Sequence, residues 1–207
     1  MSAEIINAKA LSTSIREELK TRIQALPRQP GLAVILVGDD PASDIYVSRK
    51  IKACAQVGII SHEHRLPADT TEIEVLDLIT RLNQDSNIDG ILLQLPLPAH
   101  LDANICLNAI DPSKDVDGLH HENVGKLVAR QEGLIPCTPL GCLMLIKSIQ
   151  EDLAGLNAVV VGASLLFGKP MAQLLLKENC TVIQTHRHTK DLASFCRMAD
   201  ILCVAVG

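Results

Sequence analysis

Two residues suited to chemistry on a ring-shaped substrate, Tyr46 and Lys50, stand four positions apart. On a helix this spacing places both side chains on one face, within reach of a single ligand. A lysine amine transfers protons, and an aromatic ring packs against a flat polar substrate. The same pair also fits an ordinary amphipathic helix with a surface lysine and a half-buried tyrosine, an arrangement that usually carries no chemistry.

The residues around this pair predict a helix. Pro41 and Ser43 supply a start, with Ser43 as the expected N-cap, and Gly58 supplies a stop. Apolar residues recur at helical spacing and predict a buried stripe formed by Val47, Ile51, Cys54 and Ala55.

The composition indicates a globular protein. The chain has 207 residues, of which 47% are hydrophobic and 21% charged, enough for one large domain or two small ones. Aromatic residues make up only 1%, so we expect an aliphatic core. The net charge of −5 and the lack of a basic run argue against nucleic acid as a partner.

The cysteines and histidines predict neither disulfides nor a metal site. Seven cysteines are present without a C-x-x-C pair, mostly in apolar contexts, as in reduced core residues of a cytoplasmic protein. The histidines lack zinc-ligand spacing, so we expect no structural metal. Residues Met1–Glu4 lack the features of a signal peptide, and the apolar runs are too short to span a membrane.

The first part of the chain alternates helical periodicity with continuous apolar runs. Such runs are typical of parallel strands buried on both faces, so the pattern predicts an α/β fold. In the helix expected over 71–82, the predicted apolar positions are Ile73, Leu76, Ile79 and Leu82. The other expected elements are a helix over 8–26 and strands over 32–37, 59–66 and 90–94.

Polar residues follow these strands where ligands bind in parallel sheets, beyond the carboxyl ends. Lys50 offers a proton-transfer group, Gln94 an amide, and Asp117 in the loop Lys114–Gly118 a carboxylate. An amide and a carboxylate suit the amino-pyrimidine edge of a pterin. A simple turn before Gly118 is the alternative explanation for Asp117. The occurrence of all three residues at strand or loop ends favours a functional site.

A second unit begins near Pro136 and repeats the alternation. Its glycine-containing turn, Gly162 to Gly168, lies between a strand and a helix N-terminus, where backbone N–H groups favour phosphate. The next strand ends in the basic run His186–Lys190, about 20 positions on, where an NAD site usually has an acid. This favours NADP, although a solvated basic turn explains the run equally well. The expected elements are helices over 137–150 and up to Leu176, and strands over 157–162, 181–185 and 201–206.

Five ordered motifs together resemble one family. The chain is similar to the bifunctional methylenetetrahydrofolate dehydrogenase/methenyltetrahydrofolate cyclohydrolases over its whole length. The motifs are Gly38–Ser43 with Tyr46–Lys50, Gln94–Pro98, Lys114–Gly118, Pro136–Pro139, and Gly162-x-Ser164-x-x-x-Gly168-x-Pro170.

The resemblance implies a two-domain α/β protein with a folate cleft between the domains, usually a homodimer in the cytoplasm. It implies a folate-binding catalytic domain over residues 1–135 and an incomplete Rossmann-like NAD(P)-binding domain over 136–207. The implied activity is NADP-linked oxidation of methylenetetrahydrofolate to the methenyl compound and its hydrolysis to formyltetrahydrofolate.

The resemblance also implies residue roles. Lys50 is the catalytic acid/base, Tyr46 packs on the folate, Gln94 assists Lys50, and Asp117 anchors the pterin. The implied cofactor-binding residues are Gly162, Ala163, Ser164, Gly168, Lys169, Arg187 and His188.

Two departures from the family pattern predict weak NADP binding. The family usually has Arg where this chain has Ala163, beside the bulky run Leu165–Phe167, although Arg187 is placed to compensate. Family members also continue past Gly207, so we expect a cofactor sheet truncated at its C-terminal side. Alternatives are a cyclohydrolase without dehydrogenase activity, a non-catalytic folate- or nucleotide-binding remnant, and a dehydrogenase of amino or hydroxy acids. The last leaves Tyr46, Lys50, Gln94 and Asp117 unexplained.

Overall fold

The computed structural model describes residues 5–206, except for the side chain of Ala42. Two compact units are present: Asn7–Val116, and residues 117–206 together with Ile5 and Ile6. The interpretation of Met1–Glu4 as lacking a signal peptide lies outside the described residues.

The first unit is a parallel sheet flanked by helices, which confirms the predicted α/β class. Strand β1 lies in the centre, with β2 on one side and β3 on the other, and both pairings are parallel. In chain order the elements are α1 Ala8–Gln24, β1 Gly31–Val37, α2 Pro41–Val57, β2 Ile60–Leu66, α3 Glu72–Gln84, β3 Gly90–Leu93 and α4 Ala103–Ala109.

The central strand forms the core of this unit. From Ala33 to Val37 its residues are at most 3% exposed, as a continuous apolar run between two covered faces requires. Val34 packs with Val47 of α2 and Leu92 of β3. Burying Val47 against this sheet therefore holds the helix that carries Tyr46 and Lys50.

Two predicted apolar faces are partly wrong. Ala55 is exposed at the end of α2, and in α3 Ile73 is 71% exposed. The predicted α3 positions recur every three residues, so they drift around a helix of 3.6 residues per turn. The face that is buried follows i, i+3, i+4, i+7 instead: Val75, Leu78, Ile79 and Leu82.

The second unit is also a parallel sheet, with β4 between β5 and β6. The helix predicted to reach residue 150 ends at Lys147, and the strand predicted to reach 206 ends at Val204. In chain order the elements are α5 His121–Val128, α6 Cys137–Lys147, β4 Asn157–Val161, α7 Gly168–Lys177, β5 Thr181–Thr185, α8 Leu192–Arg197 and β6 Ile201–Val204.

The core of the second unit is aliphatic and contains thiols. Met171 and Leu175 of α7 are fully buried against Val160 of β4. Cys203 lies in the same core, and burial raises the pKa of its thiol to about 11. Cys137 departs from the prediction of core cysteines, because it is exposed at the start of α6.

Within residues 5–206, no helix combines the length and hydropathy that a bilayer crossing needs. The same part of the chain shows no group of three or more His, Cys, Asp or Glu residues arranged to hold a metal ion.

Candidate active site

Helix α2 begins one turn earlier than a Ser43 cap would place it. The N-cap is Asp40, whose carboxylate accepts a hydrogen bond from the Ser43 N–H at 2.8 Å. Pro41 follows as the first helical residue, where its missing N–H costs nothing. The prediction of Ser43 as the cap is therefore wrong, because the aspartate three residues earlier takes that position. Gly58 ends the helix in the left-handed conformation, as predicted.

The structure brings Lys50 and Gln94 together. Lys50 Nζ donates to Gln94 Oε1 at 3.3 Å, across 44 residues of sequence. Gln94 directly follows β3, and its N–H continues the strand pairing by donating to the Ile35 carbonyl at 2.9 Å. Its Nε2 donates to the Leu95 carbonyl at 2.7 Å. The amide is thereby held with its oxygen facing the lysine amine, as general acid–base chemistry at Nζ requires.

Tyr46 lies one helical turn before Lys50 on α2. Its side chain is 58% exposed, while Lys50 is half-buried. The aromatic ring is thus available to a ligand that approaches the lysine from the surface of this unit.

The loop after α4 is fastened to the sheet by a residue whose role the sequence did not reveal. Lys114 Nζ donates to the carbonyls of Leu82, Asn83 and Asp85 at the end of α3, at 3.1, 2.8 and 2.9 Å. Its own carbonyl accepts the Ile91 N–H at 2.7 Å. A cation at a helix C-terminus satisfies carbonyls that lack helical partners. No local pattern signals this contact, because its partners lie about thirty residues earlier.

Asp117 comes three positions after Lys114 and is the first residue of the second unit. Its side chain is half-buried. The predicted contact between Asp117 and a pterin stays a prediction.

The glycine-containing turn brings α7 close to the end of β4. A Cβ on Gly168 would lie 2.1 Å from the Gly162 carbonyl oxygen, so only glycine fits there. Ser164 braces the turn, since its Oγ accepts from the Phe167 N–H at 3.2 Å and its carbonyl from the Lys169 N–H at 3.0 Å. No side chain caps α7 at its N-terminus. Ala163, Ser164 and Lys169 are exposed around this uncapped end, an arrangement that suits a phosphate.

The basic residues after β5 form an exposed cluster. Arg187 Nε donates to His188 Nε2 at 3.0 Å, and the His188 N–H donates to His186 Nδ1 at 3.2 Å. The turn at Gly162 and this strand are neighbours, because the Gly162 N–H donates to the Thr185 carbonyl at 3.1 Å. The predicted cofactor residues therefore lie at the carboxyl ends of two adjacent strands.

Family models identify both parts of the chain. Residues 6–117 match the catalytic domain of tetrahydrofolate dehydrogenase/cyclohydrolase, and residues 136–207 match its NAD(P)-binding domain. The chain belongs to the tetrahydrofolate dehydrogenase/cyclohydrolase family. This confirms the resemblance that the five motifs indicated.

Curated relatives of the family are similar along the whole chain. The bifunctional protein FolD of Cereibacter sphaeroides is 54% identical, over 100% of this chain and 71% of the relative. FolD 2 of Paracoccus denitrificans is also 54% identical, over 98% of this chain and 68% of the relative.

Solved structures agree with the fold. The bifunctional enzyme FolD of Campylobacter jejuni superposes with a TM-score of 0.97 at 47% identity, over 100% of this chain and 74% of the other. The Trypanosoma brucei FolD enzyme, solved with NADP cofactor and an inhibitor, gives a TM-score of 0.94 at 33% identity, over 100% and 73%.

Proposed function

We propose that this chain is a methylenetetrahydrofolate dehydrogenase/methenyltetrahydrofolate cyclohydrolase that uses Lys50 as its proton-transfer group. Membership of the family supports both reactions of one-carbon folate metabolism. The observation that supports Lys50 is its hydrogen bond to Gln94 at the carboxyl end of β3. Two polar groups from distant parts of the chain meet there, where ligands of parallel sheets bind.

Hydrolysis requires water to add to the methenyl carbon and one carbon–nitrogen bond to break. Lys50 Nζ takes the first proton from the attacking water and returns it to the nitrogen that leaves, so the amine ends unchanged. The remaining hydroxyl proton goes to solvent as the C=O bond of the formyl group forms, which accounts for the one proton released when the methenyl cation becomes the neutral formyl compound. Gln94 keeps Nζ directed at the reacting carbon, because its own amide is fixed by the Leu95 carbonyl. Tyr46 packs on the folate ring, and Asp117 binds the amino-pyrimidine edge of the pterin, as the family motifs imply.

The oxidation step requires a dinucleotide held against the methylene carbon. The turn from Gly162 to Gly168 fits a dinucleotide phosphate, since the missing Cβ at Gly168 lets the uncapped α7 N-terminus approach the strand. When bound, NADP supplies the hydride acceptor. The surrounding Ala163, Ser164 and Lys169 line this end. Arg187, whose Nε donates to His188, supplies positive charge for the 2′-phosphate.

In this proposal residues 1–135 bind folate and carry the catalysis, and residues 136–207 bind the cofactor. The family matches over 6–117 and 136–207 support this division. The homodimeric state is supported by the family resemblance. The cytoplasmic location is supported by the buried thiols of Cys106, Cys180 and Cys203, which suit a reducing compartment.

Calorimetry with NADP and NAD tests the cofactor assignment. Ala163→Arg restores the residue that the family usually has, and we expect it to tighten NADP binding about ten-fold while changing NAD binding little. Arg187→Gln should weaken the binding of NADP but not of NAD. The matched control is Arg197→Gln on α8, which should change the binding of neither. Equal effects on NADP and NAD would contradict the role of Arg187.

Turnover separates the dehydrogenase from the cyclohydrolase alternative. Incubation with methylenetetrahydrofolate and NADP should produce NADPH, followed by formyltetrahydrofolate. Hydrolysis of added methenyltetrahydrofolate without any NADPH production would favour the cyclohydrolase-only function. The observation behind this alternative is the exposed Ala163, which stands where the family usually has an arginine beside the cofactor.

A further inference from the structure

Three charged side chains form a chain of ion pairs beside α2. Glu63 Oε1 accepts from Arg65 Nε at 2.7 Å and lies 2.7 Å from Nη2, so it holds one side of the guanidinium. The remaining Nη1 donates to Asp44 Oδ1 at 2.5 Å. Glu63 and Arg65 are two positions apart on β2 and therefore point to the same face of the sheet.

The position of this chain of ion pairs relates it to the catalytic helix. Asp44 is in the first turn of α2, two residues before Tyr46. Arg65 pairs in register with Leu36, near the end of β1, just before the turn that leads into α2. An edge strand is thus connected by charge to the start of the helix that carries Tyr46 and Lys50.

Apolar packing of the central part of α2 on the sheet depends mainly on Val47 and Ile51. Val47 is fully buried against Val34 and Leu92, with Ile51 packed beside them, so the apolar contact runs along a single stripe. A stripe of aliphatic contacts holds a helix on the sheet but resists rotation about the helix axis weakly, because such contacts are not directional. The Arg65 guanidinium, held on one side by Glu63, makes a directional, charge-assisted hydrogen bond to Asp44 and supplies that constraint.

We propose that Arg65 is a positioning residue for the reaction: through Asp44 it fixes the rotation of α2 and so the placement of Tyr46 and Lys50. The inference rests on the proposed function for its catalytic consequence. The Lys50–Gln94 hydrogen bond is 3.3 Å long. A small rotation of the helix would therefore break it.

Tyr46 provides a readout that is independent of activity. It is the only tyrosine, and the chain has no tryptophan, so intrinsic fluorescence reports on the first turns of α2. We expect Arg65→Gln, Asp44→Asn and the double variant all to lower the anisotropy of Tyr46 and increase its quenching by iodide. Arg65→Lys keeps the positive charge but lacks the planar guanidinium group. We therefore expect it to change Tyr46 anisotropy and quenching less than Arg65→Gln does.

The matched control is another exposed ion pair of the same unit. Arg28 donates to both oxygens of Asp89 at 2.7 Å, beside the last turn of α2 rather than the first, with a similar exposure of its side chain, 48% against 50% for Arg65. Arg28→Gln removes a pair of the same kind and should leave Tyr46 fluorescence unchanged. A purely structural role for Arg65 predicts a lower melting temperature in both variants and no specific change at Tyr46.

Kinetics of methenyltetrahydrofolate hydrolysis complete the test. We expect each single variant at Asp44 or Arg65 to lower kcat by roughly two- to five-fold with little change in KM, the scale of one exposed ion pair. The double variant should be no worse than either single one, because both remove the same interaction.

The outcomes separate the two proposals. Absence of hydrolysis by the unaltered chain would refute the proposed function, and the Tyr46 measurement would still decide on the positioning of α2. Unchanged Tyr46 anisotropy in Arg65→Gln, or additive losses of kcat in the double variant, would refute the positioning role.

Discussion

Gln94 is the residue whose orientation matters most to the chemistry of Lys50. Its amide spans two partners, accepting from Lys50 Nζ and donating to the Leu95 carbonyl. A side chain with the same shape but no donor would lose the contact with the Leu95 carbonyl while remaining next to Lys50.

Gln94→Glu makes that change. The carboxylate cannot donate to Leu95, and its negative charge holds Lys50 as an ammonium ion that cannot accept a proton. We expect kcat for hydrolysis near neutral pH to fall by about ten-fold or more, with the optimum shifted to higher pH. The pH dependence of kcat measures this. Gln56→Glu, at an exposed position on α2, is the control, and an unshifted profile in Gln94→Glu would contradict the role.

The sequence predicted Lys50 and Gln94 as site residues but not the long-range contacts of Arg65 and Lys114 that brace the surrounding elements. Tyr46, Lys50 and Gln94 are visible because local motifs and strand ends place them. Arg65 and Lys114 act on partners 21 and about thirty residues away, and such contacts leave no periodic signal. Asp40 and Ser43 are equally good N-cap residue types, so the sequence alone does not show that Asp40 caps α2.

The β4–α7 connection restricts which residues it can contain, because its backbone segments approach each other closely. Gly168→Ala would place a Cβ 2.1 Å from the backbone oxygen of Gly162, which cannot move as a side chain does. We expect the free energy of unfolding to fall by roughly 1–3 kcal/mol, with loss of NADP protection. In Gly141→Ala in α6, nothing lies within 4 Å of the added methyl, so the free energy of unfolding should rise by about 0.5–1 kcal/mol. Chemical denaturation measures both, and equal stability of the two variants would contradict the close approach.

Strand β2 carries a histidine that makes folding sensitive to pH. Burial lowers the pKa of His64 below its usual 6.5, and the charges of His62 and Arg81 add to the effect. Its Nε2 is buried, with no hydrogen-bond partner among the described residues. The unfolded chain takes up this proton near pH 6.5 while the folded chain resists it. The stability that comes from keeping His64 neutral is therefore present above about pH 6.5 and is lost as pH falls through the lower folded pKa.

His64→Gln should make the stability of the protein less dependent on pH. The drop in melting temperature between about pH 7.5 and about pH 5.5 should be smaller in the variant than in the unaltered chain. His62→Gln, at an exposed neighbouring position, should keep most of the drop, because burial is the larger cause. Identical pH profiles for His64→Gln and the unaltered chain would contradict the assignment.

The strands and the long helices were predictable, and the short helices were not. β1 and β4 are continuous apolar runs, a pattern that buried parallel strands produce. Helices α4, α5 and α8 have seven, eight and six residues, too few for helical periodicity to repeat. They went unpredicted for that reason.

At the scale of the whole molecule, the chain consists of two parallel α/β units that match the two domain models of one family. Packing groups residues 117–135 with the second unit: Leu127 of α5 joins its core, and Arg130 donates to the Leu176 carbonyl at 2.7 Å. The sequence motifs indicated two units but not this grouping, since a helix of eight residues gives little sign of which core it joins.

Catalysis by this molecule depends on Lys50, and a comparison of hydrolysis rates tests that dependence. The rate of methenyltetrahydrofolate hydrolysis by the purified chain is compared with the spontaneous rate in the same buffer. Lys50→Met and the control Lys52→Met, at an exposed position on α2, are measured alongside. We expect the unaltered chain and Lys52→Met to accelerate hydrolysis equally, and Lys50→Met to bind folate without accelerating it. Near-normal turnover by Lys50→Met, or no acceleration by the folded, unaltered chain, would contradict the account.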